Sequence, residues 1–418
     1  MPAPEKLILL PSLTSTLRSD GKFRLTRKFV AGAVEMERVW RQATGGPVEV
    51  WIEEGERPEN LDEDWFGPDD LPCRVTHVDY QRSVPQEDLE GVRVILGATS
   101  HRQNHLAAEF HSHGVPLVYA TEYTLRTRIQ IAETEERSVA RRYRRQLWEV
   151  AEEKRRRRAI AQASGLQCNG TPTFEAYRGL NRRTHLYFDT RTREDAVISR
   201  EQLDRRLDGF GGRPLRLAFS GRFTRMKGVQ LLPALAGFLR DRKVDFHLSL
   251  CGDGELRESI EAEVAERNLG EYVSFLGNLP FESELIPFLK HSVDLFVCPH
   301  LQGDPSCTYL ETFAAGIPIA GFANEAFAGL LDTESNLGWS APTGEVYELA
   351  RQIEILNQQR RLLESASHTA REFALAHTFE QETRRRIRHL CHVARPTSTL
   401  RMRAVTGSAA TKDQRSVR

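Results

Sequence analysis

Short apolar runs recur along the chain, and each is followed by a longer stretch in which apolar positions return every three or four residues. A run too brief for a helix followed by a helical period predicts a strand and then a covering helix, and repetition of the unit predicts parallel sheets with helices on their faces. In the first half the expected strands are KLILLP, VEVWIE, RVTHVD, VRVILGA, VPLVYA, LQCNG and THLYFD; in the second they are LRLAFS, DFHLSL, YVSFLG, DLFVC, IPIAGF and NLGWS. Between the halves, the charged segment from Asp189 to Arg213 closes on Gly-Phe-Gly-Gly-Arg and reads as a connector. The expected division is therefore a first domain over 1–190, a connector over 191–213 and a second domain over 214–377. A last helix over 378–394 opens on Thr378, with Gln381 at the reciprocal position of a capping box. Beyond it, 395–418 is small, polar and basic, with too little apolar surface to fold.

A length of 418 residues suits two domains with cores of their own, and 40% hydrophobic with 28% charged residues describes a soluble globular chain. Lys+Arg and Asp+Glu balance at 58 each, so no global charge recruits nucleic acid. The imbalance is local: from Arg137 to Arg158 ten basic residues face three acids, with Leu147, Trp148 and Val150 interleaved. Two readings of that helix stand side by side, an anionic membrane surface or a solvated, salt-bridged face. Six cysteines without a CxxC pair fit a reducing compartment. The start MPAPEKLILLPS reads as a first strand rather than a signal peptide, and no run of 18 apolar residues occurs, so the expectation is a cytoplasmic protein, working at most at the inner face of a membrane.

The chemistry concentrates between Leu215 and Pro318. The strand LRLAFS runs into Gly221-Arg222-Phe223-Thr224-Arg225-Met226-Lys227-Gly228, which sets two cations beside an expected helix start, where dipole and free amides also favour anions. Gly252-Asp253-Gly254 and Gly277-Asn278-Leu279-Pro280 are turns that close the next two strands, and glycine there allows a backbone to approach a ligand or simply makes a tight turn. After DLFVCPH comes Asp304-Pro305-Ser306-Cys307-Thr308, a helix-starting turn, with Glu311 one turn into the helix. In this order the segment resembles the C-terminal half of glycosyltransferase family 4. The resemblance implies a GT-B fold: two Rossmann-like domains facing each other across a cleft, with the last helix returning to the first domain. It implies a retaining hexosyl transfer from a UDP- or GDP-sugar to a cell-envelope glycan or lipid-linked acceptor, without a metal cofactor.

By that resemblance Arg222 and Lys227 bind the diphosphate, Glu311 binds the ribose, and Gly221, Gly252, Gly254, Asn278, Leu279, Ser306, Cys307 and Thr308 line the donor. The family carries a further glutamate eight positions before the ribose-binding one. Here that position is Gly303, and Asp304 is the carboxylate expected to substitute. On the acceptor side, Glu122 and Tyr123 follow the strand VPLVYA where the family places a histidine or an acid, and Ser12 follows the first strand. Asp62-Glu63-Asp64 has the form of a metal-binding DxD, but no apolar strand delivers it and it is rejected as a metal site. His101, His105, His111 and His113 lack a completing cysteine or carboxylate set and read as solvated or core residues. Two rival functions share these features: a nucleotide-sugar epimerase of the same fold, and a binding module whose catalysis is lost at Gly303.

Overall fold

The structure is a computed structural model that describes residues 5–55, 63–79, 84, 86–135 and 138–395. The first half contributes β1 (Lys6–Leu10), β2 (Thr14–Ser15), β3 (Phe23–Thr26), β4 (Val48–Glu54), β5 (Glu63–Phe66), β6 (Arg74–His77), β7 (Val92–Ala98), β8 (Leu117–Thr121), β9 (Gly165–Asn169) and β10 (Thr184–Tyr187). The second contributes β11 (Leu215–Ser220), β12 (Phe246–Cys251), β13 (Val273–Gly277), β14 (Leu295–Cys298), β15 (Ile319–Phe322) and β16 (Gly338–Ala341). One sheet runs in the order β10-β9-β8-β7-β1-β4-β2 with β6 on β4, and the other in the order β13-β12-β11-β14-β15-β16. Both are parallel, so each gathers its strand ends on one edge, the place where open α/β sheets bind ligands.

The strands form where apolar runs bury on both faces. Leu7, Ile8, Val94, Ile95 and Val118 in the first sheet, and Leu217, Phe219, Leu248, Leu295 and Phe296 in the second, are at most 1% exposed. The helix Phe379–Val393 follows the second half in sequence but sends Ile387, Leu390 and Val393 into the core of the first. The Gln167 side chain of β9 fastens it there, donating to the Arg386 carbonyl at 3.1 Å and accepting from Arg386 Nε at 2.8 Å. Thr378 caps the helix through the Gln381 amide at 3.3 Å, but the returning bond from the Gln381 side chain is not formed among the described residues.

One expectation needs correction and two gain detail. Glu63 and Asp64 lie in a strand, because β5 pairs antiparallel with β3 and turns its acids toward Arg24 at 2.7 Å and Arg27 at 2.9 Å; Asp62 is outside the described residues. The stretch read as a connector contains the helix Arg200–Leu207, held by a full capping box between Ser199 and Gln202. The basic run becomes the helix Val139–Gln162, whose acids Glu149, Glu152 and Glu153 face inward; Arg137 and 396–418 are outside the described residues.

Asp294 ties the entry of β11 to β14. Its side chain is fully buried and accepts from Arg213 and Arg216, with the Arg216 amide adding a bond at 3.1 Å. Burial opposes ionisation, but the two guanidinium groups outweigh it and hold the carboxyl below the usual aspartate range. A lowered native value means the contribution is complete above the unfolded pKa of about 3.9 and is lost as pH falls through the native one. Asp294→Ala is expected to destabilise the chain by about 3–5 kcal/mol at pH 7, with the gap to the parent narrowing below pH 4, as read by urea unfolding at both pH values.

Candidate functional site

The edge of the second sheet is built by turns that bring backbones together. Gly252 has φ +135° and donates to the Gly277 carbonyl at 2.7 Å, and a Cβ there would run into the Gly221 carbonyl. Crowding is the local reason for Gly252, whereas Gly221 is set by its positive φ of +153°; a Cβ on Gly254 would stand 2.8 Å from the Phe223 carbonyl. Asn278 is exposed beyond them and Leu279 half-buried.

Lys227 lies in the short 3₁₀ turn Arg225–Lys227, not in the first turn of a helix; the helix proper begins at Leu232. The break is Gly228, at φ +69° against the Pro299 carbonyl, where only glycine fits. The turn buries Lys227 to 8% exposure and points its Nζ across to the start of the helix Cys307–Ala314, 3.3 Å from Asp304 Oδ2 and 3.4 Å from Ser306 Oγ. Arg222 is exposed and lines a cleft of about 730 Å³ together with Thr224 and Met226. Ser306 caps the helix by accepting from the Thr308 amide at 3.4 Å. A buried cation thus faces a helix N-terminus, an arrangement that suits an anion.

Glu311 lies deeper on the same helix, 8% exposed. Burial pushes its carboxyl above the usual range, opposed by Arg191, whose Nε and Nη2 donate to Oε1 at 3.3 and 3.2 Å. The Arg191 guanidinium also stacks over Phe281 at 4.5 Å, just past the Asn278-Leu279 turn. Cys307 meets the first domain: Lys28 Nζ is 3.2 Å from its Sγ and 2.5 Å from Asp189. Burial, reinforced by Asp189, pushes the Cys307 thiol up to about 12, so it is a neutral packing group.

On the first sheet, Ser12 is exposed after β1 and lines a cavity together with Glu122, which follows β8; Tyr123 is half-buried beside Glu122. More than a third of Glu122 remains open to solvent although protein atoms crowd around it, because it projects into a cavity. That crowding, and then Asp189, pushes its carboxyl above the usual range, and Tyr123 is raised by burial likewise.

Sequence reasoning missed Lys28, Asp189, Arg191 and Glu325. The last is the most informative. Glu325 Oε2 lies 3.1 Å from where a Cβ on Gly303 would stand, and the carboxylate accepts from Thr124 at 3.2 Å and Arg126 at 3.3 Å. The Gly303 amide itself donates to Gln130 Oε1 at 3.4 Å, so the turn at Gly303 is occupied by the first domain. Asn324, which caps the following helix, was the one available signal that an acid came next at a strand end. His105 precedes the helix Leu106–Ser112 and His113 closes it, while His101 packs edge-on to Trp148. Among the described residues, no group of three or more His, Cys, Asp or Glu could hold a metal ion.

The comparisons with known proteins agree with this architecture. Residues 201–373 match the family described as Glycosyl transferases group 1. A 2-deoxystreptamine glucosyltransferase of Streptomyces kanamyceticus is 32% identical over 139 residues, 33% of this chain and 35% of that protein. The chain thus spans about a third of the length of that relative. HepE of Anabaena, solved in complex with UDP, superposes with a TM-score of 0.64 at 13% identity over 93% of this chain and 99% of that one. Sucrose-phosphate synthase of Thermosynechococcus elongatus gives 0.62 at 16% identity over 93% and 98%. The chain has the GT-B fold of two parallel-sheet halves facing across a cleft.

Glu122 yields a test of the cleft's electrostatics. With its native pKa raised, the ionised carboxylate is disfavoured in the fold, a strain that is absent below the ordinary glutamate value of about 4.3 and grows as pH rises through the native one. Glu122→Gln is expected to melt higher than the parent at pH 8 and at the same temperature at pH 4, as read by calorimetry.

Proposed function

We propose that the protein is a GT-B glycosyltransferase that moves a hexose from a UDP- or GDP-sugar to an acceptor hydroxyl with retention of configuration. The observation that carries this reading is Lys227, buried and held 3.4 Å from Ser306 at the start of the helix Cys307–Ala314, with Glu311 one helix turn further in and Arg222 exposed on the loop that leads to Lys227. The match of 201–373 to a glycosyltransferase family and the UDP and UDP-glucose named for the HepE structures support a nucleotide-sugar donor. Neighbours of similar fold named for lipopolysaccharide synthesis support a cell-envelope glycan or lipid-linked acceptor.

In this mechanism the acceptor oxygen bonds to the anomeric carbon from the side the donor leaves. The bond from that carbon to the diphosphate breaks, both electrons go to the phosphate oxygen, and the acceptor proton follows them there. Charge therefore grows on the diphosphate in the transition state, and Arg222 and Lys227 stabilise it more than they stabilise the bound donor. Without donor, Asp304 neutralises Lys227; arrival of the diphosphate displaces that carboxylate toward the sugar. Glu311 holds the ribose diol once Arg191 releases it. Side-chain cations serve the leaving group, so the reading includes no resident metal, and activity is expected to survive EDTA.

Thermal-shift screening of nucleotide sugars followed by donor hydrolysis tests the assignment. Lys227→Ala and Arg222→Ala are each expected to lower turnover on the order of 100-fold while the fold stays intact. Glu311→Ala is expected to weaken nucleoside diphosphate binding instead, and Asp304→Asn to slow transfer without weakening that binding. Unchanged kinetics in both cation variants would remove the basis for the site.

The helix Val139–Gln162 supports contact between the protein and an anionic membrane face. Its acids turn inward, Glu149 and Glu153 onto Arg128 at 2.8 and 2.7 Å, while Lys154, Arg155, Arg157 and Arg158 are exposed, Arg155 and Arg157 lying 3.1 and 3.6 Å from Glu152 and Glu153. Val139, Tyr143 and Leu147, 74%, 64% and 55% exposed, form an apolar stripe along it. No helix of the described residues is long and apolar enough to cross a membrane. Replacing Lys154, Arg155, Arg157 and Arg158 by Gln is expected to weaken binding to acidic liposomes a hundredfold or more, at about 1 kcal/mol per charge, and parental binding should fall with salt. Arg156 is left in place because it is buried and donates to Thr99 at 3.0 Å. Equal liposome binding by parent and variant would return the helix to a solvated face.

A further inference from the structure

The first sheet carries a cavity whose lining is more specific than the general expectation of an acceptor. It opens at the ends of β1, β7 and β8, has a volume of about 310 Å³, and lies at the lower end of the range for small-molecule sites. Its walls include Leu9, Pro11, Leu13, Phe29, Met36 and Leu96. Charge is confined to Lys28, Glu122, Asp189 and Arg386, two cations and two anions. Lys28 and Asp189 satisfy each other at 2.5 Å, and Arg386 donates to Gln167 at 2.8 Å while lying 4.1 Å over the Tyr187 ring. Glu122 differs, having no hydrogen bond or ion pair among the described residues. The cavity therefore offers an apolar wall and one carboxylate without a protein partner among the described residues, within a neutral set of charges.

Gly32 is the second, independent observation. It stands in the interior of the helix Arg27–Thr44, where glycine is destabilising relative to alanine. None of the usual needs for glycine applies: its φ is not positive, and a Cβ built on it meets no atom within 4 Å. What its missing side chain does is leave the cavity open between Phe29 and Met36, one helix turn to either side.

We propose that this cavity binds an uncharged alcohol whose hydroxyl is carried on or beside a compact apolar body, with the hydroxyl donating to Glu122 and Gly32 providing the room for that body. Burying such a body against Leu13 and Phe29 is favourable, whereas a bare sugar would leave its hydroxyls without partners on those walls. A cationic ligand would meet Lys28 and Arg386 as well as Glu122, and gains nothing from a mouth without net charge. The proposal deepens the acceptor side of the transferase reading, but the binding it describes does not depend on transfer.

The test is calorimetric titration of four probes, phenyl β-glucoside, octyl β-glucoside, glucose and glucosamine, in the absence of donor. Phenyl β-glucoside is expected to bind at least tenfold more tightly than glucose. Gly32→Phe should abolish that advantage, and Gly32→Leu, which keeps a strong helix former, serves as a second occluding variant. Gly32→Ala should retain binding and melt higher than the parent, which separates occlusion from damage to the helix. Equal affinity for glucose and phenyl β-glucoside, tighter binding of glucosamine, or full binding by folded Gly32→Phe would each overturn the assignment. Probe binding that Gly32→Phe removes upholds it even where no transfer occurs, an outcome that would count against the transferase reading alone.

Discussion

A charge withdrawn from water must be matched, and the cleft between the two sheets is organised by that requirement. Lys227 sits with Asp304, Arg191 with Glu311, and Lys28 with Asp189. None of these pairs belongs to a single secondary element: each joins a strand-end turn or connector to a helix or turn distant in sequence. The pairs therefore brace the edge of each half from within, and the halves meet through other contacts, Lys28 on Cys307, Thr124 and Arg126 on Glu325, and the Gly303 amide on Gln130.

Matching of this kind is exchangeable. The Asp304 carboxylate that neutralises Lys227 stands where an anionic ligand group can replace it, at little change in desolvation because Lys227 is already buried. The helix Cys307–Ala314 concentrates the effect, since its cap faces Lys227, its first residue meets Lys28, and Glu311 lies one turn inward. One eight-residue helix touches all three pairs.

Much of this architecture was legible in the sequence because it depends on local pattern. The thirteen runs singled out as strands all appear as strands, since buried parallel strands are continuous apolar runs. What escaped was short or long-range. β3 and β5 are a four-residue antiparallel pair whose alternation is carried by few apolar positions, so its acids read as loop. Lys227 was placed in a helix because a turn ending in glycine resembles a helix start, whereas the crowding of Gly228 by Pro299 is a tertiary fact. Glu325 could not be paired with Gly303 from spacing alone, because β15 lies between them in the chain and the hydroxyls that reach them, Thr124 on Glu325 and Thr127 on the Gly303 carbonyl, come from the other half.

The course of the last helix has a consequence for how the chain comes to be folded. Ile387, Leu390 and Val393 fill the core of the first half, against residues such as Leu7, Val48 and Val94. On a ribosome those residues emerge only after the whole second half has been made. The first sheet therefore waits with an apolar groove uncovered until synthesis is nearly complete, and its final packing is a contact between the earliest and latest parts of the chain. The second half has no such debt and can condense as it appears. Vectorial synthesis thus makes the second half the earlier to mature, and the half with the apolar cavity the one most exposed to chaperones.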